Sequence, residues 1–558
     1  MKKSIFFVSV IAMALLTSCG EPISPDQITV NPNPLTVVGN KVTAQFTGTF
    51  PEKKFAPKAV LTVTPVLKYN GKEMVGEPVT YIGEKIKENG KTVSYKQGGT
   101  YSQGINFDYE EDMNQCELWL RFDATLKGKA FEVPEMKIAD GLIATAKLAD
   151  VKDIKTVIAP DKFQRVIQEM QEADIQFLIQ QSTLRSSETK SQSIKDIKAA
   201  IKEANDNEKK AINKLEVSGY ASPEGGMDLN TKLANERQAK AQQFIADGMK
   251  KDKVKAEIAA DVTAEDWDGF QKMMEESNIQ DKDLVLNVLR MYSDPEEREA
   301  QIKNLSAVYK TIADEILPAL RRSRIILTTD VIGKSDEEIV ALFATDPAQL
   351  SVEEMLYAGT LLTDKKAVYA KVTEMFPNDY RGWNNLGIVY FNEGNVAEAR
   401  RCYNKSLQLN ANDANVNYNA ALAAMADNDM EKAEMYLGKA AGAQGDMANA
   451  QGTYYTMKGD YQKAKSAYGT VASNNNAIQQ ILNADYAAAR QTLNNVANPD
   501  AKTYYLLAVV GARTNDKDAV YNNMKTAVEK CASMKQKAQN DLEFAAFAQD
   551  EKFQAIVK

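Results

Sequence analysis

Residues 382–407 read GWNNLGIVYFNEGNVAEARRCYNKSL. The stretch has the pattern of two helices that pack against each other through an apolar face. Small Gly387 and Ala399 stand where the two helices would cross closely. Large Trp383, Tyr390 and Tyr403 stand where the gaps between them need filling. Thirty-four residues after Ala399 comes Ala433 (433 − 399 = 34), followed by Leu437 and Ala440. DYQKAKSAY, Asp460 to Tyr468, restates the second-helix pattern around Ala464, and DYAAARQTL, Asp485 to Leu493, restates it again after a shortened first helix. A single hairpin of this kind cannot bury its apolar face, so several must stack. Residues 345–558 therefore read as an all-α solenoid.

Working outward, the chain has 558 residues, a formal charge of −8, 44% hydrophobic and 26% charged residues. Those shares are ordinary for a globular protein, and the length predicts several domains. There is no histidine, which excludes Ser-His-Asp and Cys-His catalysis, the usual zinc sites and a histidine pH switch. A pI near 5.2 argues against nucleic acid as a partner. No nucleophile motif, phosphate loop or metal-ligand spacing is evident, so the chain reads as a non-enzyme with no catalytic residues, no metal site and no cofactor. Cys116, Cys402 and Cys531 are too scattered for a disulfide framework, and Cys116 and Cys402 read as small buried hydrophobes.

Residues 31–150 read as a β-sandwich of immunoglobulin-like kind. Val42, Ala44 and Phe46 alternate with polar neighbours, as do Leu118, Leu120, Phe122, Ala124 and Leu126. Asn70-Gly71, Asn89-Gly90 and Gly98-Gly99 are turn signals. Trp119 and the tyrosines are either packing residues or a sugar-binding face.

Residues 160–335 mix strands and helices. Strands are predicted at Asp174–Ile179 and Lys214–Tyr220, and a helix over 193–215. A second helix follows the turn-forming loop Ala221–Gly226, with Asp228 as its cap and Gly248 as its stop. At about 100° per residue with Leu229 at zero, Arg237 falls at about 80° and Asn230 at about 100°, inside the apolar stripe made with Leu233, Ala241 and Ile245. A buried guanidinium must find a partner. It either forms an internal ion pair or backbone hydrogen bond, or it receives a ligand carboxylate.

Three resemblances add to this. Trp383, Leu386, Gly387, Tyr390, Ala399 and Tyr403 lie at the spacings of a tetratricopeptide repeat, which implies protein partners held in the inner groove of the stack. The stretch GYASPEGGMDLNTKLANERQA, Gly219 to Ala239, resembles the signature of OmpA-like peptidoglycan-associated domains, and Arg321 to Leu327 resembles their closing strand. On that likeness 160–335 is an α+β OmpA-like domain with a helical insertion at about 263–318. The resemblance implies peptidoglycan binding, with Arg237 taking the diaminopimelate carboxylate and Asn230 in register. The family's aspartate position is Ser222, whose hydroxyl supplies no charge. Glu224, two residues on, either swings in or neutralises Arg237 at home.

Finally, Lys2-Lys3, the apolar run Ile5–Leu16 and Leu16-Thr17-Ser18-Cys19 resemble a lipoprotein signal, 1–18, with Cys19 as the lipidated residue. Residues 19–30 would be anchor and tether to the membrane. Gly20-Glu21-Pro22-Ile23-Ser24 lacks an aspartate after the cysteine and lacks a dense acidic run, so the resemblance implies the outer membrane, periplasmic face. The expectation is a lipid-anchored, non-catalytic envelope scaffold. The alternative is a surface-exposed adhesin or glycan-binding lipoprotein that uses the β-sandwich.

Overall fold

The computed structural model describes residues 28–558, so the expected signal 1–18 and Cys19 lie outside the described residues. The chain forms two compact units. One is made of residues up to Pro160 together with Thr363–Lys558, and the other is Asp161–Leu362.

The first unit begins with ten strands: β1 (Ile28–Val38), β2 (Lys41–Phe50), β3 (Ala59–Tyr69), β4 (Lys72–Val75), β5 (Val79–Gly83), β6 (Lys91–Val93), β7 (Gly99–Asp108), β8 (Cys116–Leu126), β9 (Lys129–Asp140) and β10 (Leu142–Ile143). They make two sheets, β10-β1-β2-β7 and β6-β5-β3-β8-β9, with β4 paired to β3. Val42, Phe46 and Ile105 of one sheet share a core with Leu61, Val63, Leu118 and Leu120 of the other. The period-two alternation fixes which face of each strand enters that core. Asn70 and Gly71 both have positive φ, the two-residue turn that closes β3 onto β4. The pairings β1·β10 and β5·β6 are parallel, so the sandwich is not purely antiparallel.

Five helical hairpins of the same unit follow the helix Lys365–Met375. They are Tyr380–Asn392 with Val396–Leu409, Ala414–Ala426 with Met430–Lys439, Met447–Lys458 with Tyr461–Tyr468, Asn474–Leu482 with Tyr486–Asn494, and Ala501–Arg513 with Lys517–Lys530. Every one of these ten helices starts on an Asp, Asn or Ser whose side chain accepts a backbone N–H of the first turn. Asp413, Asp429, Asp446, Asp460 and Asp516 are examples. Each such cap is worth about 0.5–2 kcal/mol. Of the helices in the zone read as a solenoid from residue 345 onward, Val352–Leu361 falls within the second unit, as does the preceding helix Asp336–Thr345.

In the second unit, β11 (Val166–Gln176), β12 (Lys210–Tyr220), β13 (Ile258–Thr263) and β14 (Arg322–Ile332) form one sheet in the order β11-β14-β12-β13, with β12·β13 parallel and the others antiparallel. Helices Gln192–Asp206 and Met227–Asp252 pack on it through Ile194, Ile197, Ala241 and Ile245 against Ile175, Leu215, Val217, Ile325 and Leu327. Between β13 and β14 a helical segment, Trp267–Leu320, builds its own core from Phe270, Met274, Val285, Leu289, Ile312 and Leu317.

Four local expectations are corrected. The helix over 193–215 stops at Asp206, because Lys210–Ile212 pair with Thr329–Val331 of β14. The first strand lies over Val166–Gln176 rather than Asp174–Ile179, and Leu178 and Ile179 are exposed. The long helix starts on Gly226 with Asp228 inside its first turn. It runs past Gly248, whose missing side chain leaves room for Lys198, and ends at Lys253 in the left-handed conformation.

Candidate functional site

Arg237 sits midway along the helix Met227–Asp252 on its buried face and is 1% exposed. Its Nε donates to the carbonyl of Gln181 at 3.0 Å, Nη1 to that of Tyr220 at 2.9 Å and Nη2 to that of Leu178 at 3.4 Å. The guanidinium also lies 5.3 Å from the centroid of the Phe177 ring. Among the described residues no carboxylate forms an ion pair with it. Burial, with repulsion from Arg321 only partly offset by Glu224, pulls it down to about 10, so it remains a cation at neutral pH. Its function here is to tie the strand end at Tyr220 to the loop after β11.

Ser222, Glu224 and Asn230 gather beside it, but their bonds run elsewhere. Ser222 Oγ donates to Glu224 Oε1 at 2.6 Å. Glu224 receives both arms of Arg321, Nε at 2.6 Å and Nη2 at 3.0 Å, with the two side chains 15% and 11% exposed. Asn230 Nδ2 donates to the carbonyl of Gly225 at 2.7 Å and to Glu265 at 3.3 Å. Arg322 donates to Asp266 at 2.7 Å in a buried pair, and Arg324 clasps Asp174 at 3.0 and 3.2 Å. The cluster is a closed exchange of charges. The acid at 224 neutralises Arg321, not Arg237. The sequence flagged the Arg321-Arg322 pair only as the start of a strand; its role as the acids' partner required the fold.

A second polar constellation lies on the first helices of the hairpins, and it holds the chain's own residues 148–160. Asn385 Oδ1 accepts the N–H of Ala159 at 2.9 Å while its Nδ2 donates to the carbonyl of Ala159 at 3.0 Å. Asn419 does the same to Val157, at 2.9 and 2.6 Å. Asn475 does so to Asp150, at 3.3 and 2.6 Å. Asn384 adds a bond to the Val157 carbonyl at 3.2 Å and braces Asn419 at 2.9 Å. Between these points, Val151 and Ile154 are buried in the cluster of Tyr418, Leu422 and Tyr454, with Val157 packed against it, and Ala149 is buried among Ala477, Ile478 and Leu506. Lys502 reaches Asp150 at 3.2 Å and Asp153 at 2.8 Å. Burial pulls its ammonium down, but the two aspartates prevail and hold it above the ordinary lysine value. The inner surface assigned to an outside partner is thus filled in cis. Asn385 and Asn419 stand one repeat apart (419 − 385 = 34), a signal the sequence carried.

The residues read as repeat packing are placed as follows. Ala399, Ala433 and Ala464 are fully buried. A Cβ on Gly387 would come 2.6 Å from the Tyr403 ring, so only glycine admits that approach. Trp383 is only partly buried: its Nε1 donates to the Pro377 carbonyl at 2.9 Å and Arg401 lies over its ring. Tyr390 is also partly buried, under Lys366. Cys116 and Cys402 are buried, which pushes each thiol up to about 11. On the sandwich, Trp119 donates to Glu117 at 2.8 Å and lies beneath Lys68. No helix among the described residues is long and apolar enough to cross a membrane.

Residues 380–413 match the family model of the tetratricopeptide repeat. No curated protein matches the chain. Among solved structures, a tetratricopeptide repeat protein from Parabacteroides merdae is 16% identical over 37% of this chain and 91% of its own, with a TM-score of 0.31. The Pseudomonas aeruginosa protein pilF is 15% identical over 40% and 98%, TM-score 0.26, and yeast Tom70 is 13% identical over 59% and 78%, TM-score 0.28. The chain carries a tetratricopeptide repeat, a module of protein–protein interaction scaffolds, and the repeat implies protein partners.

Proposed function

We propose that the protein is a lipid-anchored, non-catalytic scaffold of the cell envelope, attached through Cys19 at the periplasmic face of the outer membrane. The observation that carries the non-catalytic reading is the closed bonding of the central cluster. Arg237 is spent on three carbonyls, and Glu224, Asp266 and Asp174 are spent on Arg321, Arg322 and Arg324. General acid–base or nucleophilic work needs a group poised toward a substrate, and these groups are poised toward each other. The anchoring rests on the sequence Leu16-Thr17-Ser18-Cys19.

The OmpA-like character of the central unit rests on the Gly219–Ala239 signature. In this reading the unit does not grip diaminopimelate in the family's manner, because Ser222 brings no charge and Arg237 offers its guanidinium to the main chain. Metabolic labelling with a palmitate analogue tests the anchor: the parent is labelled and Cys19→Ala is not. Labelling that survives Cys19→Ala would refute it. Purified sacculi test the central unit. Retention of the parent that is lost in a folded Glu224→Gln variant would restore the cell-wall reading. The adhesin alternative needs an open aromatic platform, and the cover of Lys68 over Trp119 weighs against it. Protease shaving of intact cells discriminates, since only a surface-exposed protein is digested.

A further inference from the structure

The inner face of the repeats is more than a place where chain happens to lie. Three asparagines, Asn385, Asn419 and Asn475, each clasp one peptide unit's worth of donor and acceptor. An amide side chain has one acceptor and one donor group, so a clasp of both main-chain groups of one residue reads backbone and ignores the side chain. Val157 and Ala159, two apart, are addressed on successive hairpins, as alternate residues of an added strand would be. Side-chain selection is supplied separately. Val151, Ile154 and Val157, three apart, enter the tyrosine-lined cluster, and Asp150 and Asp153, also three apart, converge on Lys502.

We propose that this groove is a peptide-binding site whose resident ligand is the chain's own segment 148–160, and that the segment keeps the groove shut to outside partners. The ligand class is a short segment with an acidic pair three apart, apolar residues three apart and a small residue at its clasped C-terminal end. The segment is fixed at its front end by Thr145, whose hydroxyl donates to the buried carboxylate of Glu543, itself held by both arms of Arg513 at 2.6 and 3.0 Å. A ligand tethered in this way acts at an effective concentration on the order of millimolar or above. A partner reaches the groove only by displacing it. The proposal goes beyond the scaffold reading and stands without the lipid anchor or the cell wall.

The test uses the intact chain and a fluorescein-labelled synthetic peptide of residues 147–161. Two release variants are compared with the parent: Val151→Ser/Ile154→Ser, and a Gly-Ser replacement of 148–160 at equal length. The peptide is expected to bind a folded release variant at least tenfold more tightly than the parent, which its own segment blocks. Adding Asn385→Ala/Asn419→Ala should remove that gain. Equal binding to parent and release variant would overturn the proposal, as would a folded release variant that binds no peptide. Should neither release variant fold, trypsin cleavage of the parent after the exposed Lys152 and Lys155 decides. Cleavage far slower than that of the free peptide supports the resident ligand, and a peptide-like rate overturns it.

Discussion

The central unit and the repeat array each contain a polar site satisfied by the chain itself, and they do it with opposite chemistry. Around Arg237 the currency is charge: a buried cation on carbonyls, ringed by three Arg–carboxylate pairs. In the groove it is chiefly the neutral amide, three asparagines each on the N–H and C=O of one residue, with Lys502 between Asp150 and Asp153 as a charged contact beside them. A buried charge is costly to strand, so the first site is fixed. A neutral clasp that is broken loses about 0.5–1.5 kcal/mol per bond, and departure of the segment uncovers Lys502 to water as it takes Asp150 and Asp153 away, so the second site can open. That difference separates a structural clasp from an exchangeable one.

The comparison breaks most visibly at Arg237. Arg237→Ala removes the donors to the Gln181, Tyr220 and Leu178 carbonyls, of which Leu178 keeps the N–H of Gln181, and the second unit should lose about 3–5 kcal/mol, read by urea unfolding. A loss below about 1 kcal/mol would mean the guanidinium does not hold the strand end. Ile154→Asp puts an unpaired carboxylate into the Tyr418–Tyr454 cluster. It should cost the first unit about 2–4 kcal/mol while leaving the second untouched. Asn419→Ala removes two clasp bonds and the brace to Asn384, for about 1–3 kcal/mol by thermal unfolding.

The smallest effect is that of pH. Asp429 and Asp460 are held below the ordinary aspartate value by side-chain hydrogen bonds from Lys432 and Lys463, and Asp550 by the backbone of Phe553. Groups depressed on folding lend stability that is full above the unfolded value, about 3.9, and fades as pH falls through the folded one. Helical ellipticity should therefore hold its melting temperature down to about pH 4 and lose it gradually below.

Much of the fold was legible because burial imposes a period. Leu118 to Leu126 alternate since one face of β8 enters the sandwich core. Gly387, Ala399 and Ala433 recur since helices must cross closely there. The start of β11 was not legible: from Val166 to Glu172 its side chains are exposed on both faces, so no alternation marks it. Lys210–Ile212 were read as helix because local preference favours one, and the pairing with β14 overrides it. At the candidate site, the placement of Arg237 and Asn230 on the buried stripe followed from helix geometry. The partners did not, because main-chain carbonyls at Leu178, Tyr220 and Gln181 leave no mark in side-chain identity. Residues 151–159 fell between two zones as a connection. Their role depends on asparagines more than two hundred residues away, and only the spacing of Asn385 and Asn419 hinted at it.

The most direct measurement is hydrogen exchange of the backbone amides of Asp150, Val157 and Ala159 in the intact chain. These amides belong to no helix or strand, yet each donates to an asparagine of the repeats. Slow exchange at all three, relaxed in Asn385→Ala/Asn419→Ala at Val157 and Ala159 but not at Asp150, is the predicted result. Exchange at the rate of an unstructured peptide would contradict the account.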